Sequence, residues 1–230
     1  MKHVLVSIAL AALVGASAIT LTSAAPQRQV ISHGTLGRGT VTLWRQGAQL
    51  GATIDKAAIA SLPSKETRVD LLPKSGPFKL VEIDWHPHGH PPAGIYTVPH
   101  FDAHFYVISK SERDAIAFAA PGSAPKAADT IVPMGYITDG TVEPQMGMHY
   151  VPASQPEFHG KPFMASQIWG YNKGHLAFVE AMFSMKFVNA KESWTQAIPR
   201  PKDTKVAAGL PSTMSVTRNT AGGYDVIVDK

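Results

Sequence analysis

The sequence predicts a mainly-β, antiparallel protein, a barrel or a sandwich with two short helices; α+β is the fallback. Three observations predict it. β-branched and aromatic residues alternate with polar ones over 40–45, 78–85 and 100–107, the period of a half-buried strand. Glycine (19) and proline (18) punctuate the chain at intervals too short for long helices. Residues 170–174 and 219–223 carry the turn chemistry of hairpins.

Residues 1–24 stand apart from the fold. Lys2 and His3 form a polar start, and Val4 to Gly15 form an apolar run shorter than the ~20 residues of a spanning helix. Small residues then end at Ala18 and at Ala24, the pattern of a secretory signal peptide cleaved after one or the other. What remains, 25–230, is expected to be one mainly-β domain with 195–230 as a wrapping tail and hairpin. The protein is expected to be exported, periplasmic or secreted, with no membrane attachment after cleavage.

Thr40–Arg45 reads as the first clear strand, and Asp55 as the cap of a helix through Ser61. The proline- and glycine-rich 63–78 reads as a loop. In Phe78–Trp85, Phe78, Leu80, Glu82 and Asp84 share one face, and Lys79, Val81, Ile83 and Trp85 the other. Prolines 87, 91 and 92 exclude a helix over 86–95. Beyond Pro99 the alternation places Phe101, Ala103, Phe105 and Val107 on one face, and His100, Asp102, His104 and Tyr106 on the other. A second helix is expected over 109–119, capped by Ser109 or Ser111, then short strands near 131–138 and 146–151. Phe163–Trp169 pairs with His175–Val188 across the 170–174 turn, and Ser212–Arg218 with Tyr224–Val228 across 219–223.

Composition narrows the function. A chain 44% hydrophobic and 17% charged is built to pack. Its +4 net charge is scattered singly, so nucleic-acid binding has no footprint. There is no cysteine, so stability must come from burial, from a metal or from association of copies. No Gly-x-Ser-x-Gly elbow supports nucleophilic hydrolysis.

Five of the ten histidines, His86, His88, His90, His100 and His104, fall within 84–106, which points to a metal site. On a strand, His100/Asp102 and Asp102/His104 stand about 7 Å apart, within reach of one ion, whereas His100 and His104 stand about 13 Å apart. A bulge must join these two, or one of them stands behind the ligands. His149 can converge from another strand. Glu180, in an otherwise apolar strand, requires a metal or a cation such as Lys186 or Arg113. The expected ligands are therefore His100, His104, His149 and Glu180. Asp102, His90 and Tyr106 stand behind them or substitute for them, and His86 and His88 face solvent on either side of Pro87. Zinc suits imidazole and carboxylate; Met134, Met146, Met148, Met182 and Met185 keep copper as the alternative. Metal binding without turnover leads the readings. Behind it come a small-barrel metalloenzyme and a non-metal module whose histidines line a pocket for an anionic or aromatic ligand.

The segments Gly89-His-Pro-Pro92, Pro99-His-Phe-Asp-Ala-His-Phe-Tyr106, Met146-Gly-Met-His149 and Phe178-Val-Glu-Ala-Met182 resemble a family of exported bacterial proteins of unassigned function. Its representative is a thermophile protein controlled by an extracytoplasmic-function sigma factor. The resemblance runs over most of the mature chain and places His90, His100, Asp102, His104, His149 and Glu180 at motif positions. His86 and His88 fall outside the motif. It implies export, metal binding, a ring-like or other homo-oligomer, and a link to envelope stress.

Overall fold

The computed structural model describes residues 26–230, so the expected signal peptide lies outside the described residues. Alternating apolar and polar residues build two antiparallel sheets. The first takes β1 (Gln29–Leu36), β2 (Gly39–Gln46) and β3 (Gln49–Ile54) from the start of the chain. The second takes β4 (Thr67–Leu71), β5 (Leu80–His86), β6 (His100–Tyr106), β7 (Tyr136–Ile137), β8 (Val142–Glu143), β9 (Gly147–Pro152), β10 (Ala165–Asn172) and β11 (His175–Ser184). The chain then returns to the first sheet with β12 (Trp194–Ala197), β13 (Thr213–Arg218) and β14 (Tyr224–Asp229). The orders are β1-β2-β3-β14-β13-β12 and β4-β5-β6-β11-β10-β9-β7, with β8 beside β9. Both sheets have free edges, so the fold is sandwich-like and not a closed barrel.

One apolar layer fills the space between the sheets. Val41, Leu43, Ala52 and Ile54 enter from the first; Val81, Ile83, Phe101, Ala103, Phe105, Val179 and Ala181 enter from the second. Each large apolar side chain taken from water here contributes about 1.5–3 kcal/mol, which fixes the register of β5, β6 and β11. A strand has only two faces, so the polar residues between them point away from the core. Glu82, Asp84, His86, His100, Asp102, His104 and Glu180 accordingly line the far face of the second sheet, and all are buried there. The cover comes from Tyr96 and Ile95 of the β5–β6 connection, Met146, and Phe158 and Phe163 before β10.

The β10–β11 hairpin closes through Lys173 (φ 50) and Gly174 (φ 80), consecutive left-handed residues that match the twist of the strands. Several elements differ from expectation. The 63–78 loop contains β4, a five-residue edge strand whose Val69 and Leu71 turn inward between flanking prolines. Four short helices occur among the described residues, where two were expected. α1 (Lys56–Ile59) has the expected Asp55 cap. α2 (Lys110–Asp114) starts in a Ser109/Glu112 capping box but stops well before 119, because Ala119 bridges to Val142. α3 (Met185–Asn189) replaces the end of the predicted last long strand, with the Ser184 side chain accepting from the Phe187 N–H. α4 (Thr204–Gly209) lies in the tail, which also supplies β12 to the first sheet. Among the described residues no helix is long and apolar enough to cross a membrane.

Candidate metal centre

Three neighbouring strands set the polar face in rows. Register places Glu82 opposite His104 and His104 opposite Glu180; Asp84 opposite Asp102; and His86 opposite His100. Non-neighbouring parts of the sequence thus meet through sheet register.

At the first row His104 is fully buried, with its two ring nitrogens facing different partners. Nε2 lies 3.5 Å from Glu180 Oε2. Nδ1 lies 3.7 Å from Glu82 Oε1 and 3.7 Å from Asp84 Oδ2. His149 arrives from β9, so that one donor atom each from His104, His149 and Glu180 lies within 4.8 Å of the others. Glu82, Asp84 and His104 form a second such group. Both His104 nitrogens and Glu180 Oε2 lack hydrogen-bond partners within the protein, a costly arrangement for buried polar atoms that a bound ion or water would relieve. Gly170 pairs with both His149 and Phe178, and a Cβ on it would overlap the Phe178 ring. That ring packs edge-on against His104 at 4.7 Å between centroids and against His149 at 5.4 Å.

Two rows along, His86 Nε2 and His90 Nε2 each lie 3.1 Å from Asp102 Oδ2. His100 Nε2 lies 3.2 Å from Asp102 Oδ1. His86, His90 and Asp102 form the third group of donors within 4.8 Å.

The electrostatics follow from burial. Desolvation, reinforced by the negative charges of Asp102, Asp84 and Glu82, holds the Glu180 carboxyl well above its ordinary range. Desolvation keeps His104 well below the usual imidazole value, against the pull of Asp102. The same cause, with the nearby His90, takes His149 down to about 4, so both imidazoles present lone pairs at neutral pH. Burial and the adjacent Asp84 push Glu82 up to about 10 despite two guanidinium groups. Desolvation would raise Asp102, but the surrounding His100, His86 and His90 hold it well below the carboxylate range. Burial opposes the charging of His86, yet the close negative charge of Asp102, helped by Asp84 and Glu66, lifts it to about 9.

Of the four expected ligands, His104, His149 and Glu180 come together. His100 stands apart with Asp102, as the separation along a flat strand requires. His90 joins Asp102, and the buried Tyr106 hydroxyl donates to the Gln145 carbonyl at 3.2 Å. His88 is exposed, but His86 is not: it closes β5 at 8% exposure beneath the β5–β6 connection. Arg113 pairs with Asp70 and Glu82 rather than with Glu180. Met148 and Met182 are buried in apolar clusters. Glu82 and Asp84 are site residues that sequence reasoning placed on a face without giving them a role. Their signal was two carboxylates at i and i+2 of a strand leading into His86.

No family model matches the chain, nor does any curated protein or solved structure. The chain has buried histidine–carboxylate clusters able to hold a metal ion.

Proposed function

We propose that this chain is an exported metal-binding protein of the cell envelope, holding one divalent ion with His104 Nε2, His149 and Glu180. The observation that carries the reading is the buried convergence of these donors, with unpartnered atoms on His104 and Glu180. Glu82 and Asp84 behind His104 Nδ1 match the carboxylate that commonly orients a metal-bound imidazole. Imidazole and carboxylate donors suit zinc, with Cu(II) the main competitor. The signal-peptide pattern of residues 1–24 supports export, and the family resemblance supports exported metal binding. Two surface clefts, one lined by Asp129, Met134 and Lys202 and the other by Arg45, Phe78 and Lys230, are formed by residues outside these histidine clusters.

The test is zinc and copper content of the untagged mature protein after loading and desalting, beside His149→Ala and Glu180→Gln. A stoichiometric ion reduced by one per chain in either variant supports the reading; unchanged content in both refutes it. The ligand count favours a second reading. Three protein donors leave a position at which zinc can hold and acidify a water molecule, the arrangement of a hydrolytic centre. Turnover of ester or phosphoester substrates by zinc-loaded protein, absent in His149→Ala, would select that reading.

A further inference from the structure

We infer that His86, His90 and Asp102, with His100 beside them, form a second and separate metal site for a first-row divalent cation. The first support is spacing. The ring centroids of the three imidazoles are mutually 4.7, 5.1 and 5.3 Å apart. Imidazoles bound through nitrogen at about 2.0 Å to a tetrahedral ion place their donor atoms about 3.3 Å apart and their centroids about 5 Å apart. The 3.1–3.2 Å separations from each Nε2 to Asp102 match the first of these spacings.

Tautomer supplies the second support. His90 Nδ1 lies 2.7 Å from the Pro91 carbonyl and His100 Nδ1 lies 2.7 Å from the Val98 carbonyl. A carbonyl only accepts, so each Nδ1 must carry hydrogen and donate it. In the neutral ring Nε2 then offers a lone pair, and both lone pairs are aimed at Asp102. Two lone pairs directed at one carboxylate repel unless a proton or a metal ion lies between them, and one divalent ion there meets both rings and the carboxylate at once, where protons must be supplied ring by ring. Backbone carbonyls behind Nδ1 are also the usual means of fixing a metal-binding imidazole.

The third support is the lack of ordinary partners. His86 Nε2, His100 Nε2 and Asp102 Oδ1 are buried without a well-formed hydrogen bond, although each has an oppositely polar atom close by. One donor atom each from His86, His90 and Asp102 lies within 4.8 Å of the others, so a single ion can meet all three.

The two sites are distinct. Asp102 and His104 are two residues apart on β6, about 7 Å, well beyond the ~3.5–4 Å of a bridged metal pair. The outer site is also nearer solvent, since the His90 side chain is 34% exposed and that of His86 10%.

The experiment loads the mature chain with zinc chloride alone and counts bound ions by plasma mass spectrometry and calorimetry. It compares wild type, His86→Ala/His90→Ala, His149→Ala and, as a surface control, His88→Ala. Two ions in wild type, one in each cluster variant and two in His88→Ala are expected. His149→Ala retaining both ions, with the double variant losing one, would refute the first site and leave this one standing. A double variant as fully loaded as wild type overturns the second site. Circular dichroism checks folding. If the double variant misfolds, His90→Ala, on the partly exposed connection, decides by zinc affinity: at least a tenfold loss is expected, and no loss overturns the proposal. Cobalt loading adds a visible d–d band that must weaken in His90→Ala.

Discussion

Glu180→Met separates a metal ligand from an ordinary core residue. Glu180 is 1% exposed, and its Oε2 has no hydrogen-bond partner. Without metal, a buried unsatisfied polar group costs about 1–3 kcal/mol, and Met of similar volume removes that cost. A chain of this size shifts by roughly 2–4 °C per kcal/mol, so the metal-free variant should melt about 2–12 °C above wild type. With zinc the order changes. At a hundredfold excess over the dissociation constant, one site adds about 2.7 kcal/mol, or roughly 5–11 °C, and the variant loses that increment while keeping the contribution of the Asp102 site. The assay is thermal unfolding at pH 7.5, with chelator and with zinc, on both proteins. A higher metal-free melting temperature with a smaller zinc response is the signature of a group retained for binding at a cost in stability. A lower metal-free temperature with an undiminished zinc response would refute the reasoning, because Glu180 would then be a satisfied structural residue.

Three further outcomes are expected. Gly170→Ala forces the Phe178 ring away from His104 and His149, costing about 1–3 kcal/mol in guanidinium titrations and weakening zinc binding in calorimetry. Arg113→Met removes the buried guanidinium that meets Asp70 and Glu82 at 2.7 and 2.9 Å, leaving Lys110 beside Asp70 and Arg68 beside Glu82, so chemical denaturation should show a loss of about 1–3 kcal/mol. Glu82 has a folded-state value raised to about 10 from 4.5, so its stabilising contribution is complete below pH 4.5 and is lost as pH rises towards 10. Metal-free wild type should therefore lose up to about 1.4 kcal/mol per pH unit from this group between pH 5 and 8, and Glu82→Gln should flatten that slope in urea titrations; superimposable slopes would exclude it.

The legible parts of the fold were those governed by local periodicity. The alternation from His100 to Tyr106 gave the correct faces of β6, and Asp55 and Ser109 marked helix starts through their side-chain caps. β4 was hidden because five residues between prolines carry too little pattern to distinguish them from a loop. His86 was misread for a different reason. Pro87 signals extended backbone but says nothing about what packs on the ring, and the His90, His100 and Asp102 side chains that close around His86 come from the connection and the neighbouring strand. Glu82 and Asp84 acquired roles only through their pairing with His104 and Asp102, because register joins residues some twenty positions apart. Strand rise set His100 and His104 about 13 Å apart, yet both stood in one expected ligand set; that His100 sides with Asp102 while His104 meets His149 and Glu180 emerges only from the folded sheet.

The charges on this face explain why two sites, rather than one diffuse polar patch, emerge. Glu82, Asp84, Asp102 and Glu180 are all essentially removed from water. Arg68 lies against Glu82 and Asp84 at 3.4 and 3.1 Å, and Arg113 against Glu82 at 2.9 Å. These two acids thus have fixed, permanent cations. Asp102 and Glu180, among the described residues, have only imidazoles for ionic partners, one in each histidine cluster. A purely structural face would gain stability by replacing such carboxylates with apolar side chains. Imidazoles, unlike guanidinium groups, can give up the compensating proton, so a divalent cation can take the place of those protons and use the lone pairs they leave. The arginines hold Glu82 and Asp84 in place, and the two proposed sites fall on the carboxylates that only imidazoles accompany.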